Sequence, residues 1–327
     1  FAAEYAYHQT KPILSGQPSI LLRFRRGSTL PEGFTFHQHK LLARWGYHIR
    51  MSADRIELDV IGNRLAAPMV HHMLLHPSLR YLSALQGVIL LHAGAVANHG
   101  QSLIFTGYGG AGKTTTTSLV LAGGSRDWSP HGDDYIFWGS GPRTLAYVTR
   151  AHLYRDLLRW VPEIDLKLSR QERWRLEVFG AIRRWSGDGI KWAVRVPVDR
   201  LWPDRKIEDH AEPAAIILLE RSKTAQRPGL RPLATSAQTV DDLISMNFYE
   251  ARHFLHLVQK DRSVPDYPTW LEAWRRDEQA LLEERLREIP AYTLEIPARV
   301  GSPLALRGEL VEELAGLIAR DEMAARD

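Results

Sequence analysis

Between residues 107 and 114 the chain reads Gly-Tyr-Gly-Gly-Ala-Gly-Lys-Thr, the full G-x-x-x-x-G-K-[ST] spacing. Few short segments constrain a fold so tightly. Gly107, Gly109, Gly110 and Gly112, with the small Ala111, let successive backbone N–H groups turn inward around an anion that bulkier residues would obstruct. A strand must lead into such a loop, and a helix must follow so that its positive end faces the same anion. Both are legible: Gln101-Ser-Leu-Ile-Phe-Thr106 has strand character, and Thr114 to Leu121 reads as a helix closed by Gly123-Gly124. Tyr108 and Thr115 complete the stretch expected to line the phosphates. Lys113 would reach the β and γ phosphates, and the Thr114 hydroxyl suits a Mg²⁺ ion. The ligand expected is a nucleoside triphosphate with Mg²⁺.

The remaining composition narrows the setting. A chain of 327 residues, 44% hydrophobic and 24% charged, predicts one catalytic domain with a sizeable accessory region. The absence of cysteine removes disulfides, thiolate nucleophiles and cysteine zinc sites, and fits a reducing cytoplasm. The 42 lysines and arginines, mostly arginine, leave a net charge of only +4 and occur in small groups such as Arg23-Phe-Arg-Arg26. No nucleic-acid partner is therefore expected. No run approaches the roughly 18 apolar residues of a membrane span, and no secretory signal is visible, so a cytoplasmic protein without a membrane partner is expected.

Residues 1–84 read as a small β-rich accessory lobe, and residues 85–327 as the domain carrying the loop. In the lobe, Ile20-Leu-Leu-Arg-Phe-Arg25 is strand-like. Tyr47 to Met51 and Arg55 to Val60 alternate apolar and polar residues about the turn Ser52-Ala-Asp54, which predicts antiparallel strands. Ala66 to Leu85 reads as a helical connector interrupted at Pro77. Gly87 to Ala97 and Gln101 to Thr106 are too close for a helical crossover and should form an antiparallel hairpin about Asn98-His-Gly100. Beyond the loop, Tyr135 to Trp138 predicts a strand behind the polar segment Arg126 to Gly132. Helices are expected over 151–160, 170–184, 239–258, 269–288 and 308–319, and strands over 214–220 and 291–296.

Asp133-Asp134 opens the strand at Tyr135, whereas the metal-directing aspartate of a Walker ATPase usually closes one. Neither an LSGGQ-like segment nor an NKxD-type base reader is present. Two adjacent carboxylates in a chain with a phosphate loop suit a base for an acceptor hydroxyl and a metal ligand. His92, in an apolar run, fits a packed core histidine or an active-site group, and His131 has a weaker claim. Lys191, Arg195 and Arg200 lie in a basic stretch suited either to the transferring phosphoryl group or to a solvated strand face. Trp174, Trp185, Trp270 and Trp274 fit either helical core or a peptide-binding surface.

Over residues 87–138 the chain resembles the HPr kinase and phosphoenolpyruvate carboxykinase-like family. The similarity runs through Leu91-His-Ala-Gly-Ala-Val96, the loop Gly107 to Thr114, and Gly132-Asp-Asp-Tyr135, and continues more loosely through Lys191 to Glu220. The resemblance implies an α/β fold, a mixed sheet carrying the loop with flanking helices. It implies Asp133 as the base, Asp134 as a Mg²⁺ ligand beside Thr114, His92 beside the transfer site, and a cation such as Arg195 facing the transferring group. It also implies a homo-oligomer, because family members often form one. The glycine-rich signature that follows the aspartate pair in HPr kinase is missing, so HPr is not the expected acceptor. A carboxykinase itself is not expected, the chain being short for that enzyme.

The activity expected is an ATP- and Mg²⁺-dependent transfer of the γ-phosphate to a hydroxyl, a serine of a protein or peptide. Two alternatives stay open: a kinase for a small metabolite such as free serine, and a regulatory nucleotide-binding protein with slow turnover.

Overall fold

The computed structural model describes residues 5–8, 18–39, 42–139, 141–187, 189–287, 289–297 and 303–324. The chain divides into two compact units. One is built from residues within 10–90 and 240–284, the other from residues within 2–9, 91–239 and 285–327. A single cut after residue 84 is therefore corrected: helical sequence far along the chain returns to fold with the first lobe.

The first unit holds four strands, β1 (Ser19–Arg26), β2 (Thr35–His39), β3 (Ala43–Met51) and β4 (Arg55–Gly62), ordered β1-β4-β3-β2. The β3/β4 hairpin and the β2/β3 pair are antiparallel, but β1 runs parallel to β4, contrary to the antiparallel expectation. Alternation along β4 buries Ile56, Leu58 and Val60. On the opposite face, Glu57 and Asp59 accept hydrogen bonds from Arg23 of β1 and Arg50 of β3.

The connector comprises an α-helix at Ala66–Val70, a π-helical turn at His71–Leu75 and an α-helix at His76–Leu85. Pro77 causes no break because it lies in the first turn of the last helix, where its missing N–H has no helical partner to lose.

Helices Ala237–Asp261 and Tyr267–Leu286 complete this unit with most of their length. Asp261 accepts from the Ile49 backbone N–H at 3.0 Å and the Thr35 hydroxyl at 2.8 Å, and the Tyr47 hydroxyl donates to the Leu257 carbonyl at 3.0 Å. At the centre, buried Arg80 donates to both oxygens of buried Glu278, one bond measuring 2.7 Å. Its guanidinium lies over the rings of Phe248 and Trp274, 4.4 and 5.0 Å from their centroids. Trp274 is buried and donates to Glu278 at 2.9 Å, and half-buried Trp270 packs against it and Tyr81. These two tryptophans are core, whereas Trp174 and Trp185 on helix Arg170–Trp185 are exposed.

The second unit is a mixed α/β layer. Its sheet contains β5 (Ile89–Leu91), β6 (Ala93–Asn98), β7 (Gln101–Thr106), β8 (Trp128–Gly132), β9 (Tyr135–Trp138) and β10 (Thr144–Tyr147). A separate two-stranded pair is made by β11 (Ala151–Leu153) and β12 (Val194–Val196), and β13 (His210–Ser222), β14 (Gly229–Pro232) and β15 (Ala291–Pro297) rejoin the large sheet. The order of the large sheet is β14-β15-β13-β7-β6-β8-β10-β9-β5. The β6/β7 hairpin is antiparallel and turns through His99 and Gly100, at φ 50° and 80°. Two consecutive positive φ values match the right-handed twist of the paired strands. On its other side β7 is parallel to β13, which is parallel to β15. Helices Lys113–Gly123 and Pro303–Ala324 supply Leu119, Val120, Leu310 and Leu314 to the core of this unit. No helix among the described residues is long and apolar enough to cross a membrane.

Two local expectations are corrected. Residues 151–153 form β11 and only Leu157–Trp160 is helical, because Ala151, His152 and Leu153 are all buried and pair with β12. The polar segment before the aspartate pair contains β8, so Asp133 follows one strand as well as preceding another. Its polarity is internal. His131 is fully buried, with Nδ1 2.5 Å from the Glu208 carbonyl and Nε2 2.8 Å from the Thr144 hydroxyl. A carbonyl only accepts, so Nδ1 carries the proton, and the Thr144 hydroxyl beside Nε2 donates to the Ala211 carbonyl at 3.0 Å.

Burial lowers the His131 pKa to about 4, so this residue serves the fold as a neutral core group. Between that value and its ordinary value the unfolded chain binds a proton that the folded chain does not, so stability falls as pH drops through this window. His131→Gln should flatten the dependence of unfolding free energy on pH between about 6.5 and 4 by about 3 kcal/mol, measured by urea denaturation against the parent. In the first unit, Glu278→Gln should cost about 3–5 kcal/mol by leaving a buried guanidinium unpaired. Arg80→Met with Glu278→Leu should restore much of that loss in the same measurement.

Candidate functional site

The loop leaves the carboxyl end of β7 and enters helix Lys113–Gly123, with Gly112 as its N-cap. Gly107, Gly110 and Gly112 adopt φ of 149°, 91° and 111°, which side chains disfavour. A Cβ on Gly107 would also lie 2.9 Å from that of Ala111. The loop is thus a cradle of backbone held open by glycine. Buried Lys113 folds back over it, its Nζ donating to the Gly107 carbonyl at 2.7 Å and reaching the Tyr108 carbonyl at 3.5 Å. Thr117 fastens the first helical turn, its hydroxyl donating to the carbonyls of Lys113 and Thr114.

Strand β6 passes closely behind this turn. A Cβ on Gly94 would stand 2.9 Å from Thr117 Cγ2, 3.4 Å from the Asp133 carbonyl oxygen and 3.6 Å from Lys113 Cβ. One glycine therefore lets the loop helix and the aspartate pair approach the same strand.

Asp133 and Asp134 sit in the link between β8 and β9. The backbone N–H of His152 donates to Asp133 Oδ2 at 3.4 Å. Burial, and then the charge of Asp134, raise the Asp133 pKa to about 7, against the opposing pull of His152. Asp134 Oδ2 is 2.6 Å from Nδ1 of His152. Burial disfavours the His152 cation, but the charge and hydrogen bond of Asp134 outweigh it and raise its pKa. His152 is therefore a charge partner as well as a clamp on the orientation of Asp134.

Among the basic candidates, Arg195 occupies β12 directly opposite His152 in β11, and its charge acts on that histidine. Arg200 instead pairs with Glu172 at the start of helix Arg170–Trp185, and Lys191 is exposed. His92 stands at the break between β5 and β6, half-buried, its ring 5.3 Å from that of Tyr135, the residue after the aspartate pair.

His152, Tyr154 and Arg221 were not legible as site residues. His152 belongs to no motif, and its segment reads as helix in sequence. Tyr154 follows β11, and its hydroxyl pKa is raised by burial and then by Asp134. Arg221, near the end of β13, brings a guanidinium nitrogen to 3.8 Å from the Cβ position of Gly112. The parallel pairing of β13 with β7 puts it there, and local sequence does not show that pairing.

The chain matches no protein-family model and no curated protein.

The Gly94 contact yields a direct test. Gly94→Val should displace the loop helix and lower the unfolding free energy by about 1–3 kcal/mol in urea denaturation, while circular dichroism keeps its α/β signature.

Proposed function

We propose that this protein is an ATP- and Mg²⁺-dependent kinase of the HPr kinase-like type, transferring the γ-phosphate to a hydroxyl of a protein or peptide serine. The observation that carries the reading is the convergence at Gly94, where a Cβ would stand 2.9 Å from Thr117 of the loop helix and 3.4 Å from the Asp133 carbonyl oxygen. It sets the glycine loop and two adjacent carboxylates side by side, which phosphoryl transfer to a hydroxyl requires.

The residues fit both the nucleotide and the metal. Gly107, Gly110 and Gly112 leave backbone N–H groups unobstructed for phosphate oxygens, and Lys113 supplies a cation at the cradle. Thr114 and Asp134 offer the hard oxygen donors that Mg²⁺ takes. When bound, Mg²⁺ supplies charge neutralisation across the β and γ phosphates. Asp133 takes the proton of the acceptor hydroxyl as its oxygen bonds to the γ-phosphorus and the bond to the ADP oxygen breaks. A base with a pKa near 7 is matched to that work at neutral pH. Lys113 and Arg195 offer positive charge to the group in transit, and His152 keeps Asp134 oriented.

The pairing of Asp134 with His152 at 2.6 Å also favours a second assignment, in which Asp133 joins Thr114 at the metal and Asp134, oriented by His152, takes the proton. The two differ in metal dependence. Under the first, Asp133→Asn abolishes transfer of labelled phosphate from ATP to serine peptides by about 10²-fold or more, with ATP affinity retained. Under the same assignment, Asp134→Asn raises the Mg²⁺ concentration needed for half-maximal rate. The reverse pattern exchanges the roles. Transfer only to free serine would replace the peptide acceptor with a metabolite, and hydrolysis with every acceptor refused would point to a regulatory ATPase.

A further inference from the structure

Resting on the kinase reading, we infer that the acceptor is an acidic peptide, held by an arginine-lined pocket that begins at Tyr154, two residues along the chain from the histidine paired with Asp134. The pocket has a volume of about 360 Å³, within the range of roughly 300–1,000 Å³ usual for ligand sites. Its rim carries Arg155, Arg159, Arg183 and Arg184, four guanidinium groups against the single carboxylate of Asp156. The apolar part is made by buried Leu176 and by Phe179 and Trp192, whose rings meet edge to face at 5.4 Å. Charge and shape suit a carboxylate side chain whose methylene stem lies on aromatic surface.

A short stretch of chain joins the pocket to the reaction site. His152, the partner of Asp134, is followed after one residue by Tyr154, which lines the pocket and senses the charges of Asp134, Asp133 and Arg195. Arg155 comes next in the chain. Helix Arg170–Trp185 carries a glycine at Gly180, in its interior, where glycine costs about 1 kcal/mol relative to alanine. A Cβ there would stand 2.9 Å from Arg155 Cδ, so the glycine makes room for the arginine to lie across the helix.

Two of the cations are already balanced: Arg155 pairs with Glu177 at 2.9 Å and Arg183 with Asp156 at 2.9 Å. Arg159 and Arg184 are exposed and form no ion pair among the described residues. They are the groups left to receive carboxylates from outside. Phosphate from the nucleotide is the competing anion, but the nucleotide has its own cradle at Gly107 to Thr114, on different elements.

The test uses the full chain, a fluorescent peptide carrying one serine flanked by glutamates, and its counterpart with glutamines. Anisotropy should show the glutamate peptide binding about tenfold or more tightly than the glutamine peptide, and Arg159→Gln with Arg184→Gln should remove that preference. Affinity for ATP should be unchanged, and KM for the glutamate peptide should rise with kcat retained. Equal binding of the two peptides, or displacement of the glutamate peptide by millimolar inorganic phosphate with no effect of the arginine substitutions, overturns the assignment. The two readings fail separately. Arginine-dependent binding without phosphate transfer leaves the pocket standing and removes the kinase. Equal transfer to both peptides by parent and variant leaves the kinase standing and removes the pocket.

Discussion

The space left by the missing side chain of Gly94 governs the geometry of the second unit. Strand β6 presses there against the first turn of the loop helix and the backbone of Asp133, with hypothetical Cβ contacts as short as 2.9 Å. Interiors pack densely enough that an added methyl must displace something. Whatever moved would be the loop helix or the carboxylate pair, because these are the neighbours. The close approach sets Lys113 and Thr117 of the loop helix beside the Asp133 backbone, so a backbone constraint becomes a chemical one.

From that point outward the site is a sequence of charge compensations. Two adjacent carboxylates in a partly buried link repel each other. The structure answers with unequal environments: Asp134 has a paired histidine, whereas Asp133 has a backbone amide donor and a pKa raised to about 7. Carboxylates driven apart in this way suit different roles. Arg195 extends the field from the facing strand, and the arginine pocket begins within a few residues of His152.

The first unit reaches its stability by other means. A buried arginine–glutamate pair between two aromatic rings ties the connector to helices more than a hundred residues away. Such a pair is costly to break rather than strongly favourable to form. That makes it a specifier of which helices belong to this lobe. The chain's division into units follows from these long-range contacts, which explains why a boundary drawn from local patterns fell at residue 84 and missed the returning helices.

By itself the sequence determined what depends on local spacing. The glycine loop, its strand and helix, the hairpin at His99-Gly100 and the strand at Tyr135 are all encoded within a few residues of themselves. Tertiary structure decided what depends on partners. Segment 128–132 looks polar until His131 is seen to exchange hydrogen bonds with Glu208 and Thr144 in the core, and 151–160 looks helical until β12 claims its first residues. His152 and Arg221 join the site only because strand pairing carries them there. The glycine loop and the turn into its helix are written in its own eight residues. The carboxylates, histidine and arginines around it come from distant segments, and only packing brings such groups together.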